Sequence, residues 1–260
     1  MLSREALERA LSRKGGPMGE LAMWQQRVEK FVLDQVGPPP ARVLEVGCGE
    51  GELAHVLARA GCSVTAIDPR APEGPIFRPV GIKEFTDPGP FDHVVASLSL
   101  HHIEDLGGAL DKILEVLRTG GSLVVVEFAW DRIDEATAEW ALERLPDAAL
   151  SEEHSWLGRR CQEWESGGRG GNRARADSYS AEWASEEGFH SSRRMRDELR
   201  RRFVERCFEW VPYLYPDLRE DVREADESAA IEARAINATG FRYVGAITPA
   251  TERSRAPRRG

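Results

Sequence analysis

An α/β protein with a mostly parallel, doubly wound sheet is the fold class this sequence predicts, on three observations. Between residues 41 and 128, short β-branched and apolar runs alternate with runs of helical spacing. The strand candidates are almost continuously apolar, as strands covered on both faces are. The first of them runs into a glycine-rich turn and then a helix, in "VLEVGCGEGELA" at 43–54. In such folds a ligand sits outside the carboxyl end of a strand, against a turn of this kind.

The elements follow in order. Residues 1–40 read as an N-terminal helical segment, two helical patterns broken at Gly15-Gly16-Pro17 and ended by prolines 38–40. Residues 41–150 are the cofactor-binding core. Its strands are expected at 42–46, 63–67, 76–80 (the weakest), 91–97 and 122–128, its helices at 50–60, 106–117 and 134–145. Gly120-Gly121 stands where a helix C-cap leading into a strand is expected. Residues 151–200 read as an inserted cover segment with a charged helix at its end. The part at 151–187 is polar, carries Trp156, Trp164 and Trp183, and includes "GRGGNRARAD". It is too long for an ordinary connector, which makes it an active-site cover or partly disordered. Residues 201–250 supply C-terminal strands, "ERCFEWVPYL" and "GFRYVGAIT", around a helix at 227–238. They would complete the sheet at one edge, antiparallel in part. The tail 251–260 is expected to be disordered.

Composition removes several function classes. A net charge of -9 opposes general affinity for nucleic acid or anionic membrane, both of which need basic surface. No apolar run is long enough to span a bilayer, and "MLSREALERALSRKGG" lacks the apolar stretch of a signal peptide. Cys48, Cys62, Cys161 and Cys207 form no CxxC pair and show no disulfide spacing, so a cytoplasmic location is expected. The six histidines offer no metal-ligand spacing beyond the adjacent pair 101 and 102, and no metal is expected. In the stretch 193–206, Asp197, Glu198 and Glu205 interleave with the arginines, favouring a solvated helix over a phosphate-binding face. The oligomeric state is left open.

Two ligands could use the turn Gly47-Cys48-Gly49-Glu50-Gly51, a dinucleotide with phosphates or a nucleoside without them. The dinucleotide fingerprint needs Gly or Ala at its sixth position, and here that position is Glu52. Glu45, Glu50 and Glu52 surround the turn and would repel a pyrophosphate, whereas a ligand bearing an ammonium and a sulfonium would be attracted. Asp68, ending "VTAID", can accept both ribose hydroxyls of either cofactor.

The stretch 41–128 resembles the class I S-adenosylmethionine-dependent methyltransferases, close to their small-molecule group. The resemblance rests on "VLEVGCGEGELA", "VTAIDPR", "FDHVVASLSLHHIED" and "ALDKILEVLRTGGSLVVVEF", in family order. It implies a Rossmann-like seven-stranded sheet with one antiparallel strand near the edge. It further implies S-adenosylmethionine as cofactor and S-adenosylhomocysteine as product. Glu45, Gly47 and Gly49, with Cys48 between them, would hold the methionyl end. Asp68 would hold the ribose, and Ser97 and Leu98 would lie beside the methionyl portion. The family often places an acid after the third strand to meet the adenine amino group, and here that position is Gly81. Ile82 could pack on the adenine ring, with Glu84 reaching into the missing acid's place.

The expected function is methyl transfer to a small-molecule acceptor by in-line displacement, with the accepting O, N or C atom undetermined. Alignment of donor and acceptor is the protein's main task. A hydroxyl acceptor would gain from a base, and His101 and His102 follow the fourth strand at the same end as the turn. Either could instead be structural. His154 and His190, and the aromatics Trp210, Tyr213 and Tyr215 with the three Trp of 151–187, are further candidates to line an acceptor pocket. Two other readings are a cofactor-binding regulatory protein without catalysis and, ranked lower, a nicotinamide-dependent oxidoreductase. Nucleic-acid methylation is disfavoured, because "SLSL" stands where a (D/N/S)PPY-type clamp would be needed.

Overall fold

The parallel strands at the middle of the sheet are apolar runs buried along most of their length, whereas the strand at 204–211 alternates exposed and half-buried residues. In the computed structural model, residues 20–87, 89–146, 157 and 188–247 are described. The expected helix before residue 20, the segment 151–187 apart from Leu157, and the tail 251–260 lie outside the described residues, and with them His154, Trp156, Cys161, Trp164 and Trp183.

The described chain divides into two units. The first takes in 28–128, 188–210 and 241–247 and carries the sheet. Its strands are β1 (Arg42–Val46), β2 (Ser63–Ile67), β3 (Phe77–Arg78), β4 (Phe91–Ser97), β5 (Leu117–Phe128), β6 (Val204–Val211) and β7 (Gly240–Ala246). They lie in the order β3-β2-β1-β4-β5-β7-β6. β1 pairs in parallel with β2 and with β4, β2 with β3, and β4 with β5. At one end of the next pair the Ile247 N–H donates to Gly121 O, and at the other the Ala129 N–H donates to Thr239 O. The two chains therefore run in opposite directions, and β7 is the antiparallel strand next to the edge.

Helices connect the parallel strands for local reasons. Helix α1 (Glu20–Val36) precedes β1 and ends at Gly37, whose φ is +74°. Helix α2 (Glu52–Arg59) opens on Gly51, with Glu52 in its first turn and Arg59 in its last, both matched to the helix dipole. Helix α3 (Leu106–Val116) is capped by Asp105, which accepts the Gly108 N–H at 2.9 Å. Its Leu106, Ala109, Leu110, Ile113 and Val116 form one buried stripe. The expected glycine C-cap at 120–121 is corrected. Helix α3 stops at Val116 and Leu117 is already extended, so Gly120 and Gly121 belong to β5. A side chain at Gly121 would begin 2.9 Å from Asp92 O of β4, so what the position requires is close strand approach.

Between 188 and 210 the chain forms the helix numbered α5 in chain order (Ser192–Arg202), capped by Ser191 and seated on Met195 and Leu199. Four of its arginines are ion-paired, with Glu198 and Glu205 among the partners that the charge pattern implied. Arg196 and Arg200 share Glu205, Arg201 and Arg202 share Glu198, and Arg202 also reaches Asp111 of α3 at 2.6 Å.

The second unit comprises the described residues among 20–27, 129–157 and 211–240. It contains α4 (Glu135–Leu142) and α6 (Glu224–Glu232). Asp134 caps α4 by accepting both the Thr137 N–H and its hydroxyl. Ala141, Leu145, Leu157, Leu214, Leu218 and Val222 form its core. Beside them the carboxylate of Glu227 is fully buried and accepts the N–H groups of Tyr213, Leu214 and Tyr215. Burial still pushes its pKa above the usual carboxylate range. No helix among the described residues is long and apolar enough to cross a membrane.

Glu227→Ala strands two buried N–H donors, those of Leu214 and Tyr215, each costing about 1–3 kcal/mol when unpaired, and the half-buried one of Tyr213. The variant should lose several kcal/mol of unfolding free energy in a denaturant titration, and Glu227→Gln, which keeps one carbonyl acceptor, should lose less.

Candidate functional site

The site builds from the carboxyl end of β1. Gly47 leaves the strand with φ +76°, and both its N–H and that of Cys48 donate to Ile67 O, at 2.8 and 3.1 Å. This pair of bonds ties the turn to the end of β2. A side chain on Gly47 would begin 2.3 Å from Ser99 Cβ, so the turn lies directly against the segment leaving β4. Gly49 has φ +52°, and a side chain there would meet no protein atom within 4 Å. Its bare backbone faces open space.

Carboxylates line this space. Asp68 Oδ1 accepts the Arg70 N–H at 2.8 Å, and Oδ2 lies 3.4 Å from the Gly49 nitrogen, a long bond. Glu45 is only 3% exposed, and its Oε2 is buried with no hydrogen-bond partner. Desolvation, reinforced by Glu52, pushes its pKa up to about 8. Burial, with Glu45 and Asp68 nearby, likewise pushes the Cys48 thiol up to about 12, so it stays neutral. A buried carboxylate oxygen without a donor is costly, and an ammonium group placed against it would remove the cost.

Beyond β3, Ile82 is buried. The Glu84 carboxylate lies with Oε2 2.7 Å from the point where a Gly81 side chain would begin. The position left bare at Gly81 is thus filled by an acid from three residues on.

The exit of β4 is irregular. Leu98 has φ +50°, a left-handed conformation that costs a branched side chain roughly 1–2 kcal/mol. It is held by its N–H to Val126 O at 2.8 Å, while the Ser99 hydroxyl donates to Val46 O at 2.8 Å. A 3-10 turn, Leu100–His102, follows. Here the structure separates the two histidines that the sequence offers as a pair. His101 is 3% exposed, and its Nδ1 lies 2.7 Å from Oε2 of Glu127, at the end of β5. Glu127 is fully buried and also accepts the N–H groups of Leu100 at 2.6 Å, His101 at 3.3 Å and Phe128 at 3.0 Å. Burial opposes its ionisation, but His101 and these donors outweigh that and hold its pKa below the usual value. As an ionised acceptor it requires the proton on His101 Nδ1.

The His102 ring lies tilted against that of His101, with ring centroids 4.0 Å apart. Burial of its ring, then His101 beside it, push its pKa down to about 3. The ring is therefore held as a neutral imidazole.

Glu127 is absent from the candidates read in the sequence, since a single acid after "VVV" resembles a strand end. The signal available was its place, a carboxylate inside an otherwise apolar buried strand. Phe189 was similarly hidden. Phe189 stands edge-on to both histidine rings. His190, a proposed pocket-lining residue, instead clasps the turn: its N–H donates to His101 O, and its Nε2 lies 2.7 Å from Ile103 O. Of the aromatic pocket candidates, Trp210 packs on Phe208 and Phe241, Tyr213 on Trp24, and Tyr215 is a buried core residue. Among the described residues no three His, Cys, Asp or Glu side chains gather as a metal site.

The sheet order is that of an α/β protein whose acid-lined glycine turn lies at the carboxyl end of β1. The antiparallel β7 between β5 and β6 sets it apart from the dinucleotide-binding order 3-2-1-4-5-6. The chain belongs to the methyltransferase-domain family, whose model matches residues 21–160. It is 40% identical over 99 residues to an uncharacterised methyltransferase of Mycobacterium bovis, across 33% of this chain and 50% of that protein. It is 37% identical over 111 residues to a ubiquinone biosynthesis O-methyltransferase of Xylella fastidiosa, across 36% of this chain and 45% of that one. The chain thus spans about half the length of the curated relatives it matches. Among solved structures, geranyl diphosphate C-methyltransferase from Streptomyces coelicolor superposes with a TM-score of 0.51 at 14% identity, covering 94% of this chain and 85% of that one. That likeness is one of fold.

Glu45 gives a test by pH. Its folded pKa of about 8 exceeds the ordinary value of 4.5, so the folded state holds this proton more tightly. The stability it contributes is present below pH 4.5 and is lost as the pH rises through about 8. In thermal melts without ligand, Glu45→Gln should exceed the wild type above pH 8, with the gap closing towards pH 4.5. A gap independent of pH would mean the carboxyl is not held dry.

Proposed function

We propose that this chain binds S-adenosylmethionine on the glycine turn and transfers its methyl group to a small-molecule acceptor. The single observation that carries the reading is the partnerless buried oxygen of Glu45, on the strand that runs into the turn with the open-faced Gly49, in a chain of the methyltransferase-domain family. Glu45 would receive the ligand's ammonium group. Gly47, Cys48 and Gly49 offer backbone that a methionyl chain can lie along, Asp68 accepts the ribose hydroxyls, and Ser97 and Leu98 border the methionyl portion. Ile82 packs on the adenine, with the Glu84 carboxylate near its amino group.

When bound, this cofactor supplies an electrophilic methyl group on a cationic sulfur. The protein's part is to align an acceptor in line with that group, a contribution that can reach about 7–11 kcal/mol. His101 and His102, beside the segment that touches Gly47, are the groups available to take a proton from the acceptor. A small molecule fits better than nucleic acid, given the net charge of -9. The free thiols Cys48, Cys62 and Cys207 are consistent with a cytoplasmic location. The names of the relatives from Mycobacterium and Xylella support the reaction class.

Calorimetry with S-adenosylhomocysteine is the direct test, with an expected Kd on the order of 10 μM. Absence of heat at high protein concentration would overturn the reading. Asp68→Ala should weaken binding about tenfold or more, through loss of charge-assisted hydrogen bonds. Gly49→Val should abolish it, because the new side chain would fill the open space and strain a backbone at φ +52°.

A further inference from the structure

We infer that cofactor binding on this turn is coupled to a proton: the free protein holds the Glu45 carboxyl protonated, the ligand's ammonium group takes that proton's place, and one proton leaves for each ligand bound. This rests on the cofactor reading above and adds to it a dependence on pH. Glu45 on β1 and Glu127 on β5 are both buried acids, each one residue before the end of its strand. They differ in what meets them. Glu127 accepts the N–H groups of Leu100, His101 and Phe128, lies against the His101 ring, and is ionised. Glu45 has its Oε2 buried with no donor. Its register neighbours across the sheet, Ala66 of β2 and Val95 of β4, are apolar. The Ser99 hydroxyl, on the segment against the same turn, is already donated to Val46 O.

The charged and titratable groups at this end of the sheet give an ionised Glu45 no help. Glu52 on α2 acts on it directly. Cys48 of the turn stands close to Glu45, Glu52 and Asp68 alike, its thiol held neutral. Arg70, two residues past Asp68, is exposed, and the turn after β4 carries His101 and the neutral His102. An ionised Glu45 would thus stand dry, without a donor on Oε2 and with a like charge acting on it. A bound proton removes that cost, which is why burial and Glu52 raise its pKa to about 8. A ligand ammonium reverses the preference. Its N–H groups donate to the unmet oxygen and its charge offsets that of Glu52, so the carboxylate becomes the favoured form. In the exchange the Glu45 O–H bond breaks and its electron pair stays on the carboxylate oxygen. The proton passes to water, and the ammonium keeps all of its own. The bound state favours the ionised acid, so affinity rises with pH wherever the free acid is protonated, which is below about pH 8. On the acid side of that point the ligand's own amine, which titrates at about 8, is still an ammonium.

Calorimetry of the full chain with S-adenosylhomocysteine, repeated at one pH in buffers of different ionisation enthalpy, counts the protons. At about pH 6.5 roughly one proton should be released per ligand, and the count should decline as the pH rises through about 8. Over the same range the apparent Kd should fall about tenfold between about pH 6 and pH 7. Methylthioadenosine, a thioether nucleoside without the amino-acid arm, should release no proton. Glu52→Gln, at an exposed position in the first turn of α2, should keep binding and move the decline to lower pH. In infrared difference spectra the ligand should remove one protonated-carboxyl band from the wild type, and that loss should be missing from Glu45→Gln. Should Glu45→Gln fail to fold, the wild-type proton count decides. Binding of S-adenosylhomocysteine with no proton released on the acid side overturns the proposal, and so does equal release by methylthioadenosine. No heat with S-adenosylhomocysteine at any pH, at high protein concentration, would instead overturn the cofactor reading.

Discussion

The carboxylate of Glu127 is the interaction on which the working end of the sheet depends. β4 leaves the sheet through a left-handed Leu98 and a single 3-10 turn, whose first N–H groups, those of Leu100 and His101, are met from outside the turn. Glu127 collects the N–H groups of Leu100, His101 and Phe128 and the ring of His101. Four donors keep a fully buried acid ionised where burial alone would neutralise it, and the ionised acid holds the turn in one shape. The strain at Leu98 is sustained by the same surroundings, since neighbours on β5 and β1 hold the residues on either side of it.

On the other side of Gly47 the charge is arranged in the opposite sense. Glu45 is also buried, yet one of its oxygens has no donor, and Glu52 adds negative potential beside it. One acid is complete within the protein and the other is incomplete. The first is closed off within the scaffold, and the second leaves an acceptor unmet. Two buried carboxylates at the ends of strands that flank β4 are thus told apart by their hydrogen bonds alone.

Much of this fold was legible in the chain because its parallel strands are short, apolar and bounded by turn residues. The runs at β1, β2 and β4 coincide residue for residue with the expected strands. β3 shrinks to Phe77–Arg78, since only two residues find partners on β2. The strand β5 extends back to Leu117, because the pair of glycines read as a helix cap serves strand approach instead. The glycine turn and Asp68 were visible as a motif. The unequal roles of His101 and His102 were not, for adjacent residues look alike until the tertiary structure buries one ring against an acid some 26 positions away. Glu127 was missed for the same reason.

The antiparallel strand has a consequence for how the chain is made. β7 lies between β5 and β6, although β6 precedes it in the sequence. At about 5–20 residues per second, the stretch from the start of β6 to the start of β7 takes roughly 2–7 s to synthesise. During that interval β6 emerges from the ribosome with no partner in the sheet, and β5 has one open side. Both are templates for pairing with other nascent chains. The Arg200–Glu205 and Arg196–Glu205 pairs join the waiting strand to the helix just before it, a purely local tether that is already available while the rest of the sheet is incomplete.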